Sequence, residues 1–264
     1  MNQYILLPLL GFAAVSIVMI IIWLWAKKIN NAGIVDIFWA YNFPVIAVIY
    51  YWLGEGFDLR KLMVLVMVFV WGARLGTYLF VRVLGHIHEE DGRYKQLRID
   101  WAPNVNLKFF IFFQMQALSN VVLSIPFLFA CVNPSPELSI LEKGAAILWL
   151  VSITGEAVAD RQLQVFKKNP ANKGKVCDVG LWNYSRHPNY FFEWMIWVSY
   201  FLFACASPYG WLSIICPVSI LYLLFKVTGI PMTEEQAIRS KGEAYKKYQQ
   251  TTSAFVPWFK KNKS

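Results

Sequence analysis

Charge is scarce in this chain: only 16% of its 264 residues are Asp, Glu, Lys or Arg, against about 25% in ordinary soluble domains. A sequence this short of polar side chains cannot cover a globule with them, which argues against a simple soluble fold. Four cysteines without a close pair exclude a disulfide framework and a zinc finger. Of the three histidines, His86 and His88 stand two apart, a spacing that suits neither a helical zinc pair nor an HExxH motif, so no metal site is expected. There is no P-loop and no GxGxxG after a strand. No serine sits in GxSxG. Cys177, in a charged connection, has nothing basic and helical to activate it.

What the chain does have is apolar length. Hydrophobic residues make up 57% and aromatic residues 17%, the excess that membrane interfaces absorb. A hydrocarbon core of roughly 30 Å takes about 20 residues of helix, and residues 4–26 run without a charge. The length of that run marks a retained helix rather than a signal peptide. Further spans are expected near 34–53, 62–84, 109–132, 141–159, 190–207 and 211–225. The chain therefore reads as all-α, a single polytopic membrane domain over 1–264 with seven transmembrane helices. Counted between those spans, Lys and Arg total 20 on one side and 3 on the other. The positive-inside rule then places the N-terminus outside and the C-terminus in the cytosol. The net charge of +9 is thus assigned to loops beside a bilayer, not to nucleic acid. The cytosolic pieces, 85–108, 160–189 and the tail 226–264, are where a water-soluble ligand would meet the protein.

One of these pieces runs into the most specific motif, GLWNYSRHPNYFFE at 180–193. Pro188 fits the first turn of a helix, which puts Arg186 and His187 at its entrance, beside free backbone N–H groups suited to an anion. Asn189, Glu193 and Trp197 follow at spacings of four and share a face. An acid inside a membrane helix is by default a functional hypothesis; the bland alternative is a cap with a Glu193–Arg186 ion pair. Glu156, Asp160, Gln164 and Lys167 form a similar stripe, read either as a nucleotide contact or as a solvated amphipathic helix. Arg74, deep in the third span, needs a partner or a polar cavity, with Asp36 the nearest acid by depth; Trp71 and Tyr78 share its face. The following loop offers Arg93, Tyr94 and Arg98. The tail adds Thr233-Glu-Glu-Gln-Ala-Ile-Arg239, then Tyr245 and Tyr248, before an aromatic interface anchor at 255–259.

GLWNYSRHPNYFFE, the upstream EAVADRQ run, Tyr245 with Tyr248 ahead of FVPW, and the EDGRY and WGARLG stretches together resemble the steroid 5-alpha-reductase family, in its bacterial branch of small multi-spanning proteins. The similarity covers nearly the whole chain. It implies seven helices that bind NADPH from the cytosol, in a bacterial inner membrane, and reduce a C=C bond conjugated to a ketone in a steroid-like or other apolar lipid drawn from the bilayer. By position it implies cofactor contacts from Asp160, Lys167, Tyr184, Arg186, His187, Asn189, Tyr190, Glu193, Trp197, Tyr245 and Tyr248. Arg74, Arg93, Tyr94, Arg98 and Arg239 join them, and Trp39 and Trp71 are expected to touch substrate. Animal relatives carry a Gln-Glu pair in the second span; here the matching positions hold Tyr41 and Asn42. Tyr41 then stands as the proton donor with Asn42 orienting the carbonyl oxygen, and Asp36 and Tyr78 as alternatives. Phe192 replaces a glycine common among relatives. The RHPxY element and the acidic, tyrosine-bearing tail are also similar to isoprenylcysteine carboxyl methyltransferases, which use S-adenosylmethionine. A non-enzymatic lipid transporter or binder is the third reading. A monomer is compatible with all three, and the oligomeric state is left open.

Overall fold

The computed structural model describes residues 2–85, 87–227 and 229–260; His86, Thr228 and the last four residues of the expected cytosolic tail lie outside them. Among the described residues the chain is helical throughout, with one isolated parallel bridge between Ser185 and Ser253. The helices divide between two compact units.

The first unit comprises residues 1–139 and 204–210. Its core is α1 (Gln3–Ile29), α2 (Ile34–Leu53) and α3 (Asp58–Leu84). Asn2 caps α1 through its side-chain oxygen, and Asn30, in the left-handed conformation at φ 53°, ends it. α2 and α3 approach closely because Gly72 and Gly76, four apart, carry no side chain. A Cβ on Gly72 would meet Pro44 at 2.8 Å and one on Gly76 the Tyr41 ring at 2.6 Å. This is the small-xxx-small packing that brings membrane helices together. α4 (Gly92–Asp100) is a short polar helix capped by Asp91. α5 (Val105–Leu123) and α6 (Ile125–Val132) are bent by 41° at Ser124, just ahead of Pro126. Arg60 is 1% exposed, and its guanidinium donates to the carbonyls of Asn133, Ser135 and Glu137 at 2.6–2.9 Å. Arg60 thus staples the α2–α3 turn to the segment after α6, and Lys61 Nζ closes the turn itself by donating to the Gly54 carbonyl at 3.0 Å.

The second unit comprises residues 140–203 and 211–264. α7 (Ile140–Lys168) runs alongside α8 (Pro188–Ala204), with Gly155 against the Phe192 ring, where a Cβ would sit 2.5 Å from the nearest ring carbon. α9 (Ile215–Tyr222) leads through a wider turn at Leu223–Val227 to α10 (Ile230–Lys241) and α11 (Glu243–Thr251).

Seven spans were expected; among the described residues four helical stretches are long and apolar enough to cross a bilayer, and five if the bent α5–α6 pair is one span. The four are α1, α2, α3 and the stretch Gly210–Lys241. The difference falls on the expected fifth and sixth spans. α7 carries Glu142, Lys143, Glu156 and Asp160, too many charges for an unbroken apolar window, and α8 has only 17 residues. Two of the four charged groups, Glu142 and Glu156, are inside the protein, while Lys143 is exposed.

Candidate functional site

Within the first unit, the polar cluster gathers where α4 meets the α1–α2 turn. Asp36, in the first turn of α2, accepts hydrogen bonds from Arg93 Nη2 at 3.1 Å and from the Tyr94 hydroxyl at 2.6 Å, with Arg82 Nη2 at 3.7 Å. Asp91 Oδ1 accepts from Arg93 Nε at 3.1 Å as well, so two guanidiniums face two carboxylates and the corner is balanced in charge. Burial, reinforced by the Asp36 charge, pushes the Tyr94 phenol well above its ordinary range, so it stays a donor. Arg98 is held bidentate by Glu90 at 2.6 and 2.9 Å, and Glu90 also accepts the Ala32 N–H at 2.7 Å. The arginines expected to reach phosphate therefore already hold acids, and Glu90 and Arg82 complete a cluster that sequence reasoning had left incomplete.

The remaining predicted residues of this unit separate by environment. Tyr41, half-buried, shares a hydrogen bond of 3.1 Å with Thr77. Asn42 is 1% exposed and donates to Asn120 Oδ1 at 3.0 Å, while Asn120 donates to the Trp39 carbonyl at 2.9 Å. This chain of amides ties α2 to α5 and occupies the group expected to orient a substrate oxygen. Trp39 donates from its indole to Ser119 at 3.0 Å. Trp71 is fully buried edge-on to Phe43 and so belongs to the core. Arg74 is half-buried and Tyr78 exposed.

In the second unit α8 begins at Pro188, as the missing proline N–H requires. Asn189 Nδ2 donates to Asp160 Oδ1 at 3.3 Å, joining the two predicted stripes. Trp197 Nε1 donates to Glu193 Oε1 at 2.9 Å, one turn along. Trp149 on α7 donates to Tyr200 on α8 at 3.2 Å. Asn189 Oδ1 is buried and accepts no hydrogen bond, an open acceptor in a structure where such atoms are normally paired. Lys167, on the Asp160 side of α7, is exposed and has no ion-pair partner among the described residues. It stands close enough to Lys241 for the two charges to repel, and Lys241 lies over the Tyr245 ring at 5.7 Å.

Arg186 is committed elsewhere. Its Nε donates to Glu234 Oε1 at 2.7 Å, and its Nη1 to the carbonyls of Gln249 and Thr252 at 2.9 and 2.6 Å. His187, stacked on Tyr190, places Nε2 3.1 Å from the same Glu234 oxygen, and Gln249 Nε2 donates to Oε2 at 2.8 Å. Glu234 is the hub, and it was missed because its basic partners lie 47 and 48 positions away in sequence; its one sequence signal was the acidic pair at 234–235. The Tyr248 hydroxyl donates to the Trp182 and Ser185 carbonyls. Burial pushes the Tyr245 and Tyr248 phenols up, Tyr245 further by the Glu234 charge. The Trp258 N–H donates to the Tyr184 carbonyl at 2.9 Å, and Arg239 pairs with Glu235 on the exposed side of α10. A cavity of about 450 Å³ opens between Arg186 and the tail residues Thr252, Ser253, Trp258 and Phe259.

No solved structure matches the chain. A curated relative, the probable O-methyltransferase ustE of Ustilaginoidea virens, is 48% identical over 44 residues, which is 17% of this chain and 16% of that protein. The chain thus spans about a sixth of that relative's length. A far longer match, over residues 22–252, is to the family described as protein of unknown function (DUF1295). Since that span takes in most of the sequence, the chain belongs to the DUF1295 family, which is related to steroid 5-alpha-reductase-like proteins.

Proposed function

We propose that this protein is a membrane-embedded, NADPH-dependent reductase of a C=C bond conjugated to a ketone in a steroid-like or other apolar lipid. The observation that carries the nucleotide part is the α7–α8 ladder. Asp160 and Asn189 are joined, Asn189 keeps a buried acceptor open, and Lys167, on the Asp160 side of α7, repels Lys241. An acceptor of that kind suits a carboxamide or ribose hydroxyl. Two ammonium groups close enough to repel suit a phosphate, which the 2′-position of NADPH supplies. When bound, NADPH provides the hydride for the reduction. The Tyr41 phenol, held by Thr77, is the proton donor in this reading. The seven-span topology with a cytosolic C-terminus belongs to the same proposal. It rests on the Lys and Arg asymmetry and treats α7 and α8 as spans whose charges face protein.

A second reading is an S-adenosylmethionine-dependent methyltransferase. It draws on the acids Glu156, Asp160 and Glu193, which suit a cationic cofactor, and on a short local likeness to a probable O-methyltransferase. Thermal unfolding of the purified protein in detergent, with NADPH, NADH or S-adenosylmethionine added, separates the two. A ligand at 100 times its Kd stabilises by about 2.7 kcal/mol. The reductase reading expects a shift with NADPH that Lys167→Ala reduces toward the NADH value. A shift with S-adenosylmethionine alone would establish the second reading, and no shift with any of the three would remove both.

A further inference from the structure

α7 has a second face that the nucleotide reading does not use. Residues 156, 160, 164 and 167 lie on one side of the helix; Val158, Gln162 and Val165 fall on the opposite side, with Arg161 at its flank, about 100° round from Asp160. That back face, continued by Phe166, Asn169, Asn172 and Val179, walls a groove of about 410 Å³, within the range of about 300–1,000 Å³ typical of small-ligand sites.

The polar groups in the groove wall are satisfied within the protein. Gln162 Oε1 accepts the Leu181 N–H at 2.9 Å, Asn169 Oδ1 accepts the Ala171 N–H at 3.0 Å, and Asn172 Nδ2 donates to the Phe166 carbonyl at 3.0 Å. Arg161 differs: it is exposed and makes no hydrogen bond or ion pair among the described residues. What remains is an apolar trough with Val158, Val165 and Val179 open to the outside and one uncommitted guanidinium. The chain beyond it is basic, with Lys168, Lys173 and Lys175 all exposed. The adjacent acid, Asp160, sits on the other face with Asn189.

We propose that this groove binds an anionic phospholipid, with one acyl chain along Val158, Val165 and Phe166 and the phosphate on Arg161. Charge complementarity selects the anionic class. A lone guanidinium on a basic rim gains from a headgroup of net negative charge, whereas a zwitterionic headgroup brings its own cation to the same rim. The valine wall of the site lies on the far side of α7 from Asp160, and lipid binding is read here without the cofactor.

The test uses the full-length protein, delipidated in detergent, with binding read by native mass spectrometry. The probes are lysophosphatidylglycerol, lysophosphatidylcholine and glycerol 3-phosphate. The wild type is expected to bind the glycerol lipid about fivefold more tightly than the choline lipid, one headgroup-depth charge being worth about that factor. Arg161→Ala should erase the preference, and Val165→Trp, which fills the trough at a position 60% exposed, should weaken both lipids. Equal affinity for the two lipids in the wild type would overturn the proposal, as would a preference that survives Arg161→Ala. Full binding to Val165→Trp would remove the groove from it, and glycerol 3-phosphate binding as tightly as the lipid would make the site one for free phosphate.

Discussion

At the scale of single residues, the buried charges of this protein are held by oxygens from distant sequence. Glu234 is the clearest case, taking Arg186, His187 and Gln249 on two oxygens. Glu234→Ala leaves Arg186 buried without its carboxylate and should cost about 3–5 kcal/mol, seen as a lower unfolding midpoint in detergent. Cys177 gives a pH test. Burial pushes its thiol above the ordinary range, so the reactive thiolate is scarce at neutral pH and grows only as pH climbs through that raised value. In a variant with Cys205→Ser, maleimide labelling of Cys177 is expected to be slow at pH 7 and to accelerate later than free cysteine does. The sequence made part of this legible: Glu193 and Trp197 share a turn of one helix, and helical period alone pairs them. It could not reveal that Arg186 turns to the tail, because nothing local distinguishes an arginine awaiting phosphate from one that meets a glutamate 48 positions on. Asn42 illustrates the same limit, since its partner Asn120 lies 78 positions on.

At the scale of elements, glycine decides how closely helices pack. Gly72→Val or Gly76→Val should force α2 from α3 and destabilise by about 1–3 kcal/mol, measurable as a fall in unfolding midpoint. Between α7 and α8 the fit runs one way, glycine on one helix and a ring on the other. Gly155→Leu alone should be disruptive, and adding Phe192→Gly should restore part of the loss. Such non-additivity, read in a double-mutant cycle, would show that Gly155 and Phe192 pack as one unit. Helix boundaries were readable at α1, α2 and α3, where long apolar runs end at Asn, Gly or Asp. α7 and α8 were harder because their apolar character is interrupted by groups whose burial only the packing provides.

At the scale of the whole molecule, the Lys and Arg asymmetry makes a topological prediction. Lys175→Cys should react with a membrane-impermeant maleimide only from the cytosolic side and Ser135→Cys only from the opposite side; labelling of both from one side would break the seven-span count. The closure of the tail onto the loop before α8 has a further consequence, for synthesis. The Thr252 carbonyl that receives Arg186 lies 66 residues downstream. At about 5–20 residues per second, the ribosome needs roughly 3–13 seconds after making Arg186 before that acceptor exists. Until then the guanidinium must wait without that acceptor, so the second unit can close only after Thr252 has been made. Slowing elongation there would lengthen the interval in which the chain is open to misinsertion and proteolysis.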